Sequence, residues 1–403
     1  MLSEKLRAHR IISIGVYLPI VTAIVGIVLD LTGVTRKFIE YSGIWFGDIE
    51  EFELHVFIGS IGAGACIAIA GGLLLAISRW KPRKSPYLGR IVVALVLIPV
   101  VQVVFVWLSV VLPYQRERQI AARVEVLGGK VQVEYRGPVW ISQSLQGRLP
   151  FFDRITDIQV HDGDAALSDL LSELGTLHKL ESLELSGTQI TDVGLEHLKG
   201  LTNLKRLFLY RTQVTDAGLD RLKGLTSLEV LYLIDTLISD SGLEHLKGMT
   251  NLKQLMLGDT QVTDTGLEHL KGLTSLVFLD LDNTEVTDAG IEHLKNTTAL
   301  HRLRLGKTQV TDAGLEHLKE LPGLSWLELS STEVTDGGLS HLSALTSLGI
   351  LDLAGTQVTD FGLEHFKGLK SLTRLYLSNT TTTAEGREKL RKALPSCQVE
   401  PNP

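Results

Sequence analysis

A phrase of 24 residues recurs along most of this chain, and a chain that repeats itself at fixed spacing has few ways to fold. Leu183, Leu207, Leu231, Leu255, Leu279, Leu303, Leu327, Leu351 and Leu375 occupy one place in Leu-x-x-Leu-x-Leu-x-x-Thr-x-Val-Thr-Asp-Ala-Gly-Leu-x-His-Leu, with no slip between copies. A period in the twenties makes each copy too small for a core of its own. Its apolar edge must be buried against its neighbours, which is the construction of a solenoid.

The phrase also has a local reading. In Leu204-Lys-Arg-Leu207-Phe-Leu209 the leucines point one way and the residues between them the other, as a strand requires. The leucines fill the core, and Arg206, Phe208 and Tyr210 face outward on a concave side. The Thr212 hydroxyl is placed to bond the backbone where the chain leaves the strand. Thr215-Asp216 offers side-chain acceptors to a helix start, and Leu219 and Leu222 give that helix its inward stripe. Asp at 192, 216, 240, 264, 288, 312, 336 and 360 then reads as a repeated helix cap.

On these motifs the chain resembles the helix-bearing subtype of leucine-rich repeats, including the repeats of F-box substrate receptors. It is similar above all to a bacterial group that carries Thr-x-Val-Thr-Asp-Ala-Gly-Leu units behind membrane segments. The resemblance covers roughly residues 120 to 400. It implies an α/β leucine-rich-repeat solenoid, or horseshoe, with a binding role, and it brings no catalytic residues.

The two ends of the chain differ in charge. Of 39 Lys+Arg and 46 Asp+Glu, 10 and 7 fall in residues 1–115, which leaves 29 and 39, a net charge of −10, for the rest. An acidic solenoid without a basic run is a poor grip for a phosphate backbone, so nucleic acid is not an expected partner. Cys66 lies inside an apolar stretch and Cys397 at the far end, and they do not form a structural staple.

Residues 1–115 read as a membrane domain. The runs 11–29, 54–78 and 91–112 contain no Lys, Arg, Asp or Glu and are each long enough to cross the hydrocarbon as a helix. The first is too long for a signal peptide and lacks a small-x-small cleavage site before Asp30. Lys5, Arg7 and Arg10 ahead of it, and Arg79, Lys81, Arg83, Lys84 and Arg90 between the second and third, place those segments in the cytoplasm by the positive-inside rule. Three crossings then leave the repeats extracytoplasmic, in a multi-pass protein of the cell membrane. Arg116 and Arg118 argue the other way. Ser60, Gly64, Ala68 and Gly72 put small residues on one face of the second helix, which serves either packing within the bundle or a homodimer.

Residues 116–179 are expected to be linker and N-terminal cap. Arg123 to Tyr135 alternates around Gly128-Gly129 as a β-hairpin would, followed by an irregular first unit at Ile155, Ile158 and Val160 and a helix near Ala165 to Leu174. Nine repeats fill 180–380. Residues 381–403 close the solenoid with a helix over Ala384 to Leu394 and a short strand at Pro395 to Val399. Asn296-Thr297-Thr298 breaks the phrase by placing Thr at a core leucine position, and Leu321-Pro322 follows, so a local bend or looser contact is expected near 296–322.

The candidate site lies on the concave face. Phe208, Tyr232 and Met256 stand on successive strands about 4.8 Å apart, joined by Tyr210 and Ile234 two positions on, and form an apolar patch where water is expected. Stacked aromatics that merely stabilise a ladder are the plainer reading. A secondary candidate is Asp280, Arg304, Glu328 and Asp352, alternating in sign, with Phe278 and Trp326 one column away. Such a series is mostly a self-paired surface. The periodic histidines, His197, His245, His269, His293, His317, His341 and His365, stand on helices roughly 8–10 Å apart and are parallel rather than convergent, so no metal is expected. Gly306-Lys307-Thr308 lacks the earlier glycine of a phosphate loop, His301 standing there.

The sequence therefore predicts a membrane-anchored, non-enzymatic recognition or scaffold protein without cofactors, binding a protein or glycan through the concave face. An F-box-like substrate-recruiting adaptor is the alternative, opposed by the membrane helices that stand where an F-box would. Transport through the membrane domain is a further one.

Overall fold

The computed structural model describes residues 101, 107–138, 150–160 and 167–400. The chain divides into two compact units, residues 1–116 with 135–153, and residues 117–134 with 154–403. The expected membrane spans 11–29 and 54–78 lie outside the described residues, as does 91–112 apart from 101 and 107–112. Among the described residues no helix is long and apolar enough to cross a membrane.

Among the described residues twelve strands form one sheet in strict chain order. They are β1 (Lys130–Tyr135), β2 (Asp153–Gln159), β3 (Ser182–Glu184), β4 (Arg206–Phe208), β5 (Val230–Tyr232), β6 (Gln254–Met256), β7 (Phe278–Asp280), β8 (Arg302–Arg304), β9 (Trp326–Glu328), β10 (Ile350–Asp352), β11 (Arg374–Tyr376) and β12 (Gln398–Glu400). From β2 onward each pairs with the next in parallel, and from β3 to β11 Leu183, Leu207 and their successors stand opposite one another. The inward leucines of β3 to β11 are fully buried, together with the apolar helix residues at the places of Leu219 and Leu222. One apolar spine thus runs the length of the repeats.

The turn out of each strand follows one recipe. Thr212 and its counterparts Thr236, Thr260, Thr284, Thr308, Thr332 and Thr356 are buried, and each hydroxyl donates to the carbonyl three residues back, as expected. The residue before each Thr is left-handed, with φ between 52° and 56° at Arg211, Asp235, Asp259, Asn283, Lys307 and Ser331 and 71° at Gly355.

The repeated aspartate does something other than cap its own helix. Thr215 is the residue that caps, its hydroxyl accepting from the Ala217 N–H at 3.3 Å. Asp192 instead reaches the next repeat, where Oδ1 accepts from the Thr215 N–H at 2.8 Å and Oδ2 from its hydroxyl at 2.7 Å. The same pair of bonds recurs at every junction to Asp360–Thr383. The repeat's glycine follows from this. A Cβ on Gly242, Gly266, Gly290 or Gly314 would stand 2.4 Å from the preceding repeat's carboxylate oxygen.

The N-terminal cap is not a hairpin. A helix over Leu112–Val126 leads into β1. Ile120 and Val124 are buried at 1% and 0% exposure while Val126 is 86% exposed, which is helical spacing and not strand alternation. Gly128, at φ 74°, ends the helix: its N–H donates to Glu125 and the Gly129 N–H to Val124, so the glycine pair is a helix stop. Glu117 on this helix accepts from the Ile155 N–H at 2.8 Å and pairs with Arg154. Burial pushes its carboxyl upward in spite of both partners.

At the far end a helix spans Ala384–Ala393, and the closing strand, expected from Pro395, begins only at Gln398 as β12, after a turn at 395–396. Cys397 is a buried free thiol. At the irregular unit the strand register continues unbroken from β7 to β9. Thr297 fills the leucine position fully buried, its hydroxyl satisfied by the Leu294 carbonyl at 2.6 Å. On the helix side Glu292, Asn296 and His317 help line an open cavity of about 440 Å³, while the helices flanking the unit stay packed against one another, so the expected looser contact is not seen.

Candidate functional site

The strands present three outward columns opposite the core. On β4 and β5 the second column holds Phe208 and Tyr232, directly paired, with rings edge to face at 4.9 Å and 89°. Both are half-buried, as are Tyr210 and Ile234 in the third column. The Tyr232 hydroxyl donates to Gln254 Oε1 at 3.0 Å, and burial with the charges of Asp280 and Glu184 pushes its pKa up. Four of the five expected patch residues therefore share an accessible apolar surface. Met256 does not: it is 4% exposed, flanked in register by Tyr232 and Asp280, and belongs to the floor of the face.

Further along, the alternating charges do pair with one another. Arg304 reaches Asp280 from Nη1 at 2.9 Å and Glu328 from Nε at 2.6 Å, and its Nη2 pairs with Asp282. Asp280 is 1% exposed, an unusual depth for a carboxylate on a sheet face, and its Oδ1 accepts from the Asp282 N–H at 3.0 Å. Asp282 Oδ1 accepts from the Gly306 N–H at 2.8 Å, and Asp352 Oδ1 from the Ala354 N–H at 2.8 Å. One guanidinium does not neutralise this group. Burial and the charges of Asp280 and Glu328 outweigh Arg304 and push Asp282 up to about 7. Asp280 and Asp352 are also raised, chiefly by burial. Burial alone would loosen the Arg304 proton, but the Glu328 hydrogen bond and the three carboxylate charges hold it more tightly than usual.

The first column adds an aromatic element. Phe278, Arg302 and Trp326 stand in register on β7, β8 and β9. The Phe278 and Trp326 rings are stacked at 6.4 Å and 25°, and the Arg302 guanidinium carbon lies 5.9 Å from one centroid and 5.3 Å from the other. Both distances fall within cation–π range. Arg302 and Asp282 are the two participants that sequence reasoning missed. The signal was present in both cases: Arg302 stands 24 residues from each aromatic, and Asp282 extends the column that already contained Tyr210 and Ile234.

The histidines lie on the helix side. His245 approaches Asp220 at 3.6 Å, and among the described residues no three His, Cys, Asp or Glu side chains are grouped to hold a metal. Lys307 of the Gly-Lys-Thr tripeptide sits in the left-handed turn position, and Thr308 is a turn threonine like the others.

Residues 163–395 match the family described as a leucine-rich repeat region, a span of more than half the chain. No curated protein matches the chain. Among solved structures, an internalin (InlF) from Listeria monocytogenes is 23% identical, over 60% of this chain and 86% of its own, with a TM-score of 0.44. Internalin C2 from the same organism is 29% identical, over 54% of this chain and 84% of its own, with a TM-score of 0.40.

Proposed function

Because this chain belongs to the leucine-rich-repeat family, we propose that it is a non-enzymatic recognition or scaffold protein that binds a protein partner on the open face of its sheet. Solenoids of this kind offer extended strand faces as binding surfaces. One observation carries the reading. Phe208 and Tyr232, with Tyr210 and Ile234 beside them, keep half-accessible apolar surface on a sheet face, where buried aromatic anchors of interfaces are found.

In the same reading residues 1–115 anchor the protein in a bilayer through three helices, and the repeats lie outside the cytoplasm. The apolar runs and the distribution of lysine and arginine support that part.

The test is cross-linking capture from membranes, comparing the unaltered chain with Phe208→Ser/Tyr232→Glu. Met256 is left unchanged because it is part of the floor. Circular dichroism confirms folding of the variant. A partner captured by the first and lost with the second supports the reading, and equal capture by both refutes it.

A further inference from the structure

Strand β8 reads Arg302-Leu303-Arg304, and both arginines face outward into settings that hold a guanidinium in different ways. Arg304 is held by carboxylates and Arg302 by the Phe278 and Trp326 rings. The two settings adjoin, since residues 302 and 304 are two apart on one strand. This region of the face is therefore built to receive cations by charge and by ring quadrupole together.

Its own cations do not satisfy it. Asp280, Asp282, Glu328 and Asp352 set four carboxylates against two guanidiniums, and Arg302 is turned to the rings. Burial first, and then the charges of Asp280 and Glu328, raise Asp282, and an added cation offsets the part that comes from those charges. In the third column Tyr210 and Ile234 give way to Gly258, Asp282, Gly306, Ser330 and Ala354, so within that column only short side chains flank Asp282.

We propose that the partner engages this face through a basic peptide segment lying across the strands, its Arg or Lys side chains against Asp282, Asp352 and Trp326 and its apolar residues against Phe208 and Tyr232. The inference rests on the recognition role proposed above and narrows it to one partner chemistry. Six strand spacings of about 4.8 Å separate β4 from β10, or about 29 Å, which an extended segment of about nine residues spans. An acidic ligand meets the wrong sign of charge, and a neutral glycan leaves the carboxylate excess unanswered.

The experiment is selection of phage-displayed random dodecapeptides on the purified full chain, followed by anisotropy titration of the best peptide. Three proteins are compared: the unaltered chain, Asp282→Asn/Asp352→Asn, and Phe208→Ser/Tyr232→Glu. Asparagine keeps an Oδ1 for the Gly306 and Ala354 N–H groups, so the first variant removes charge with the least structural cost. A supporting result is a selected set rich in Arg and Lys, weakened about tenfold by the asparagine pair. Trp326→Leu gives a second reading, with a loss of threefold or more. Peptides that lack basic residues, yet are lost with Phe208→Ser/Tyr232→Glu, overturn the basic-segment inference and leave recognition by the face standing. Binding indifferent to every substitution overturns both, and failure to select any peptide overturns the inference.

Discussion

Asp282 offers the sharpest test of the electrostatic reading, because its environment makes a prediction opposite to that of an ordinary salt bridge. Paired with Arg304, it would normally be expected to stabilise the fold when ionised. Instead, burial and two neighbouring carboxylates lift it to about 7, against an ordinary value of 3.8. A carboxyl that holds its proton more tightly in the folded state stabilises the fold at low pH, and that contribution is lost as pH rises from about 4 to about 7. Each pH unit is worth about 1.4 kcal/mol, so the ceiling is about 4 kcal/mol, and relaxation around the site lowers the observable effect to about 1–3 kcal/mol. Asp282→Asn fixes the neutral state while retaining an acceptor for the Gly306 N–H. The expected outcome is near-equal stability of variant and unaltered protein at pH 4.5, with the variant more stable by about 1–3 kcal/mol at pH 8. Urea titrations followed by circular dichroism at several pH values measure the difference, and other carboxylates cancel in the comparison. A difference that is flat with pH, or a variant less stable than the unaltered protein at pH 8, refutes the reasoning and means that Arg304 outweighs burial.

Other positions give independent checks. Lys307→Gly should stabilise by about 1 kcal/mol in the same urea assay, because φ of 55° strains any residue with a Cβ. Asp264→Ala removes both bonds to Thr287 and should cost about 1–3 kcal/mol, with faster hydrogen exchange at the Thr287 amide. Gly290→Ala should be destabilising alone, yet less so in the Asp264→Ala background, since its Cβ collides with the Asp264 carboxylate; equal costs in the two backgrounds would exclude that contact. At the N-terminal cap Val124→Ala should cost roughly 2 kcal/mol and Val126→Ala under about 0.5, whereas a hairpin would put both on one face and make the costs similar.

The repeat region was legible because its period does the work of a tertiary map. Once Leu183 and Leu207 are known to be equivalent, the parallel register, the buried leucines and the outward columns follow. The turn threonines were legible for the same reason. What escaped were contacts that reach from one repeat to the next. Asp192 and Thr215 are 23 residues apart, and a single-repeat reading assigns the aspartate to the nearest helix start. The cap failed differently. Val124, Val126 and the glycine pair fit an alternating strand on paper, and only the burial of Ile120 with Val124 distinguishes the helix. The floor position of Met256 likewise depends on its flanking side chains, which no local pattern reports.

The ladder also explains where function is able to reside. Within each repeat the leucines are committed to the spine, the threonine to its turn, and the aspartate and glycine to the neighbouring unit. Substitution at any of these carries a structural cost that propagates to an adjoining repeat. The outward strand columns carry no obligation common to every repeat, and there the copies diverge most in chemistry: Phe208, Tyr232, Met256, Asp280, Arg304 and Glu328 succeed one another at one structural place. A fold that pins every other column has left this face as the part on which successive repeats differ, so whatever distinguishes the partner of this solenoid is to be sought in the order of those side chains.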